Sequence, residues 1–239
     1  MKLVELHIAR RQEEFRLHPF FGLLGPNFGV SDMRSFAPYL TFWVMTFQDI
    51  LRLNARMTTD VELRKIVRHH WAEDANQARW FLEDLALLQI SEPDLTGLFG
   101  KKHQRTRDAT YALVSEVFRV QEGCLRVVLM KTLRSAGQVF FERVADSVGS
   151  NLDGGGLKYF SHSHLEVARN HEVLEREMSE RISSMELSAS VQRQALELVD
   201  RCYEAFGAMF DAFCPPELRA STQLAPLLAA NKTFARNQS

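Results

Sequence analysis

The sequence predicts an all-α protein folded as one multi-helix bundle, and three observations carry that expectation. Apolar residues recur at steps of three and four along the longer segments, no stretch reads as a strand, and short Gly-, Pro- and Ser-containing breaks separate the periodic runs. With 239 residues, 46% apolar and 25% charged, the chain can fill a single core. Seventeen Phe and eight Met suit a plain packed core or a bundle with an internal cavity.

The elements follow in order. A first helix is predicted from about Leu3 to Leu17, ending before His18-Pro19 because a residue preceding proline avoids the helical region. After the Gly/Pro-rich PFFGLLGPNFG, Ser31-Asp32 reads as an N-cap, and Phe36, Leu40, Trp43, Phe47 and Ile50 form a core-facing stripe. Pro38 implies that this helix starts later than Ser31 or bends in its first turns. A third helix is predicted from Thr59-Asp60 to about Leu88, and a fourth from Gln104 to Leu133 with a break or kink near Gly123. Ser135-Ala136-Gly137 reads as a turn, Gln138 to Val148 as a shorter helix, and Asn151 to Gly156 as the clearest loop. Two long helices follow, Leu157 to Ile182 and one after Ser188 with Val191, Ala195, Leu198, Cys202, Ala205 and Met209 on one face. Pro215-Pro216 ends the domain, expected over 1–214; the tail 215–239 holds at most a short helix near Leu224–Ala230.

Charge and cysteine usage narrow the function classes. A net charge of −1 leaves no overall electrostatic footprint for nucleic acid or an anionic membrane. Cys124, Cys202 and Cys214 form no CxxC pair or disulfide framework, and the N-terminus lacks the apolar block of a signal peptide. The charge-free run from Ser35 to Gln48 is too short for a transmembrane helix. A cytoplasmic protein acting on a small molecule, with no membrane partner, is the expectation.

Two histidine clusters could carry chemistry. In RHHWAEDANQARWFLEDL, helical rotation sets His69, Glu73, Asn76 and Trp80 on one face and His70, Asp74, Gln77 and Phe81 on the next. An i,i+4 His–carboxylate pair can share a metal, or the carboxylate can orient the imidazole for acid–base work; the same spacing also makes ordinary helix pairs. In YFSHSHLEVARNHE, His164 and His171 are seven residues apart on one face, about 10.5 Å along a helix axis. His162 and Glu166 point elsewhere. Buried histidines of this kind are either ligands or hydrogen-bonded core residues.

The stretches HPFFGLLGPNFGVSDMRSFAPYLTFWVMTFQDILRL, ELRKIVRHHWAEDANQARWFLEDLALL and GLKYFSHSHLEVARNHE resemble the heme-oxygenase-like superfamily, which includes TenA-type thiaminases, the quinone synthase PqqC and di-iron oxidases. QALELVDRCYEAFGAMFDAF is similar to the end of PqqC-type proteins, so the resemblance spans roughly residues 15–213. It implies a helical bundle that holds its substrate between the helices. For the di-iron members it implies a Glu and a His seven apart, a Glu from the next long helix, and a His-x3-Asp-x2-His set. Glu73, His164 and His171 match three of those six positions; Trp80 stands at the second, Met130 or Lys131 near the middle Glu with Glu122 the closest carboxylate, and Ala168 replaces the Asp. Trp80 and Ala168 resemble the metal-free PqqC-like members, whose histidines activate oxygen. That family's Asp-His-Asp-Gly-like segment reads Trp71-Ala72-Glu73-Asp74-Ala75 here, without the glycine. None of the cysteines has the setting of the thiaminase nucleophile.

The resemblance implies a small-molecule oxidoreductase of a biosynthetic or cofactor pathway, using iron or no cofactor, in a chain that could form a homodimer. Glu73, His164 and His171 are the candidate catalytic residues and the candidate iron ligands. His69, His70, Trp80, Tyr111 and Tyr159 are the candidate substrate-binding residues. The alternative is a non-catalytic small-molecule-binding or regulatory protein that kept the fold. Convergence of Glu73, His164 and His171 within about 5 Å of one pocket would favour a specific site.

Overall fold

The computed structural model describes residues 1–25, 27–151, 156–162, 180 and 182–214. Its elements are all helical: α1 (Lys2–Arg16), α2 (Pro19–Gly22), α3 (Val30–Met57), α4 (Val61–Glu73), a 3-10 turn (Asp74–Asn76), α5 (Gln77–Leu87), α6 (Leu95–Phe99), a second 3-10 turn (Lys101–His103), α7 (Gln104–Arg119), α8 (Gly123–Asn151) and α9 (Ala189–Phe213). Among the described residues there is no strand, and no helix is long and apolar enough to cross a membrane.

Local chemistry sets most boundaries. α1 ends where Pro19 holds His18 in an extended conformation (ψ 137°), and the His18 ring then accepts the Phe20 N–H to start α2. α3 begins at Val30, with the Asp32 carboxylate accepting the Gly29 N–H at 2.8 Å. Pro38 stays inside this helix rather than delaying it. The carbonyl it leaves unpaired belongs to exposed Arg34, where water can satisfy it. The stripe is buried at Phe36, Leu40, Phe47 and Ile50, with Trp43 packed at its edge. Asp60 caps α4 by accepting the Glu62 and Leu63 N–H groups at 2.9 Å each, and Ser188 caps α9.

Three segments depart from the sequence expectation. The predicted 59–88 helix is broken at Asp74–Asn76, where the Gln48 side-chain amide on α3 donates to the Asp74 carbonyl and draws it out of the helical ladder. The predicted turn at Ser135-Ala136-Gly137 is the middle of α8, whose break falls instead before Gly123, as the sequence indicated. Leu133, Ala136, Val139 and Phe140 are buried there, and tertiary packing outweighs the roughly 1 kcal/mol helix penalty of a glycine. Residues 158–161 form bends, not the start of a helix, after Gly156 at φ +103°. Residues 163–179 and 215–239, with the remainder of the predicted 157–182 helix and the Leu224–Ala230 helix, lie outside the described residues.

α9 packs against α1, α2, α3, α7 and α8, and α3 packs against α4, α5, α7 and α8, so these two helices organise the bundle. Five of the Cα-periodic positions named for α9 are buried, with Val191 at the margin. Near one end, Phe210 meets Phe15, Phe20 and Phe21 with ring centroids 5.0 to 5.4 Å apart. Each such pair adds about 0.5–1.5 kcal/mol beyond its buried area. At the other end Arg126 is fully buried and, among the described residues, pairs with no carboxylate; its guanidinium donates to the Val117 and Val120 carbonyls and to Asn54. The partial negative charge at the C-terminus of α7 thus stands in for an acid.

Candidate functional site

The break between α4 and α5 gathers the polar groups of the bundle interior. His70, at the last turn of α4, is buried, and its Nε2 lies 3.0 Å from an Asp74 carboxylate oxygen. Gln77 donates its side-chain amide to the other Asp74 oxygen, and Gln48 holds the Asp74 backbone. The His70 Nδ1 is buried and makes no hydrogen bond. One ring nitrogen thus lies within ion-pair range of a carboxylate while the other has no hydrogen bond, a placement from which an imidazole can act as a base. The sequence pattern placed His70, Asp74 and Gln77 on one face, and the 3-10 turn preserves that grouping.

The adjacent face carries a second pair. His69 Nε2 lies 3.2 Å from Glu73 Oε1, and Arg134 on α8 lies 3.9 Å from Glu73 Oε2. The Glu73 side chain is only 9% exposed. Its Oε1, within ion-pair range of His69, is not aligned to accept a hydrogen bond. Both i,i+4 pairs expected from the sequence are formed.

A third feature stabilises the neighbouring segment. Asp84, in the stripe Phe81-x-x-Asp84-Leu85 of α5, is 0% exposed and accepts the backbone N–H groups of Lys158, Tyr159 and Phe160 at 2.8, 2.9 and 3.0 Å. Burial pushes its carboxyl above the ordinary carboxylate value, while the three N–H groups pull the other way. This clamp sets residues 158–160 against α5. It buries Tyr159 between Phe81 and Phe141, with ring centroids 5.2 and 5.1 Å away, and burial drives the phenol far above its ordinary value. Tyr159 is thus a core aromatic that stays protonated.

The other candidates are more scattered. Trp80 packs half-buried against the core. Tyr111 sits on the outer side of α7, 51% exposed, with its ring against Phe42. His162 is exposed and pairs with Asp146 on α8 at 3.5 Å. Met130 is a buried core side chain beside Ile66 and Val67, Lys131 pairs with Glu5, and Glu122 lies exposed just before α8. Glu122 therefore does not supply an interior carboxylate. His164, Ala168 and His171 lie outside the described residues, so their approach to Glu73 is not described.

Among the described residues, the groups around Glu73 do not make up a metal-ligand set. Its carboxylate faces the guanidinium of Arg134 and the ring of His69, Trp80 has no lone pair to offer, and Met130 is packed among aliphatic side chains. Among the described residues no group of three or more His, Cys, Asp or Glu could hold an ion.

Sequence reasoning did not find Arg134, Gln48 or Asp84. Arg134 and Gln48 come from other helices and are unreadable from local spacing. Asp84 had a signal: a carboxylate between Phe81 and Leu85 on an apolar stripe needs buried donors. No family model matches the chain, and no curated protein matches it.

Proposed function

We propose that the chain is a heme-oxygenase-like protein that holds a small molecule between its helices and oxidises it without a metal, with His70 as the base. The observation that carries this reading is the His70–Asp74 pair, 3.0 Å apart, with a buried and unbonded Nδ1 on the far side of the ring. Asp74 fixes the Nε2–H tautomer and stabilises the imidazolium that forms when Nδ1 takes a proton. Glu73, His69 and Arg134 form a second charged group on the adjacent face, suited to orienting a polar substrate. The substrate would lose two electrons and two protons, one of the protons by way of Nδ1; dioxygen takes both electrons and both protons and leaves as hydrogen peroxide, returning the His70 ring to its neutral form.

The test begins with purified chain, denatured and extracted, its small molecules identified by mass spectrometry. Fresh protein is then mixed with the extracted molecule in an oxygen electrode. The reading requires oxygen uptake with peroxide formed, lost in His70→Ala while that variant still melts within a few degrees of wild type. A molecule retained without any oxygen uptake would favour the binding protein over the enzyme. Undiminished uptake in His70→Ala would remove His70 from the chemistry.

A further inference from the structure

A net charge near zero conceals a one-sided surface. Residues 101–115 carry four cations, Lys101, Lys102, Arg105 and Arg107, against one acid, Asp108. Lys101, Lys102 and Arg105 are exposed, and among the described residues none of the four forms an ion pair with a carboxylate. Two instead sit on aromatic faces: Lys102 over the Tyr39 ring at 5.2 Å and Arg107 over the Phe99 ring at 5.6 Å. Arg107 also donates to the Leu98 and Gly100 carbonyls, which fixes α6 against the start of α7.

The same face is apolar beyond its basic edge. Phe99 is 57% exposed, and Phe42 lies beneath it and Tyr111, with ring centroids 5.9 and 5.4 Å away. Phe118 stands seven residues beyond Tyr111 on the same side of α7, and Met45 one turn beyond Phe42 on α3; both are half-exposed. Half-exposed aromatics and Met with Arg at their margin are the composition of a protein-binding surface, and the lysines add positive charge at its rim.

We propose that this face, from Phe99 along α7 to Phe118, docks an acidic peptide segment of another protein. Its carboxylates would meet Lys101, Lys102 and Arg105, and its apolar side chains would cover Phe99, Tyr111 and Phe118. The charge selects the occupant. Pairing this face with a second copy of itself would oppose the same unpaired cations. Nucleic acid would leave Met45 and Phe118 without a role, and the three exposed cations fall short of the clusters of about four to eight that recognise an anionic bilayer.

The test is fluorescence anisotropy of the full chain with a labelled helical peptide carrying Glu on one face and Leu and Phe on the other, at physiological salt. Controls are a Glu/Ser peptide of equal charge, phosphatidylserine-containing vesicles and a short single-stranded DNA. The proposal requires binding of the Glu/Leu/Phe peptide that weakens by at least about tenfold in Lys101→Glu/Lys102→Glu/Arg105→Glu and in Tyr111→Ser, with unchanged melting. Absence of peptide binding, equal binding by the variants, or tighter binding of vesicles or DNA would each overturn it.

Discussion

Replacing Asp84 by Ala removes the carboxylate that the N–H groups of Lys158, Tyr159 and Phe160 meet at 2.8–3.0 Å. Each buried donor left without an acceptor costs about 1–3 kcal/mol. Three of them outweigh the relief of no longer burying a carboxylate, and a net loss of about 3–5 kcal/mol follows. That is a large part of the roughly 5–15 kcal/mol that holds a domain folded. Urea unfolding followed by circular dichroism should therefore show a midpoint lower by about 1 M or more, given a slope of about 1–3 kcal/mol per M. Asp84→Asn should fall in between, because one carbonyl oxygen survives but an amide N–H now faces the backbone donors. Lys158→Ala is the contrasting variant: it removes only an exposed ion pair with Glu83, which solvent screens, and leaves the Lys158 backbone N–H in place. An Asp84→Ala midpoint within experimental error of wild type, or one no lower than that of Lys158→Ala, would refute the clamp.

Two further predictions concern the scaffold. Gly137→Ala should stabilise the chain by about 0.5–1 kcal/mol, because the position is mid-helix and an added Cβ meets only Phe141, at 3.9 Å; destabilisation would restore the turn expected there. Glu5 is partly buried, which pushes its carboxyl up, but Lys131 and Ser183 hold it below its ordinary value of 4.5. A depressed carboxyl contributes stability above the unfolded value that is lost as pH falls through the folded value. Melting of the wild type should thus fall more steeply below pH 4.5 than that of Glu5→Gln, and parallel curves would contradict the pair.

The sequence made the helical class legible because the apolar stripes of α3 and α9 recur over about four and five turns, longer than any local exception. It also made the His69–Glu73 and His70–Asp74 pairs legible, since i,i+4 spacing survives a single 3-10 turn. What it hid depends on other helices. The break at Asp74 is made by Gln48 from α3, the continuity of α8 through Gly137 by burial of its neighbours, and the bends at 158–161 by Asp84. The choice of His164 and His171 over His70 as the leading histidines followed the family resemblance. Among the described residues the Nδ1 atoms of His70 and His103 are both buried without a hydrogen bond, and of these two rings it is His70 that lies beside a carboxylate. The basic edge at Lys101–Arg107 was present in the sequence but averaged away by net charge.

The central claim is that Asp74 holds the His70 ring so that Nδ1 serves as the base, and ring-nitrogen NMR of the selectively labelled histidines tests it most directly. His70→Ala identifies the resonance, and the spectrum is recorded with and without the molecule extracted from the protein. The account predicts a neutral Nε2–H tautomer in the free protein and a shift confined to Nδ1 when the molecule is added. An Nδ1–H tautomer, or a His70 signal unmoved by the bound molecule, would contradict it.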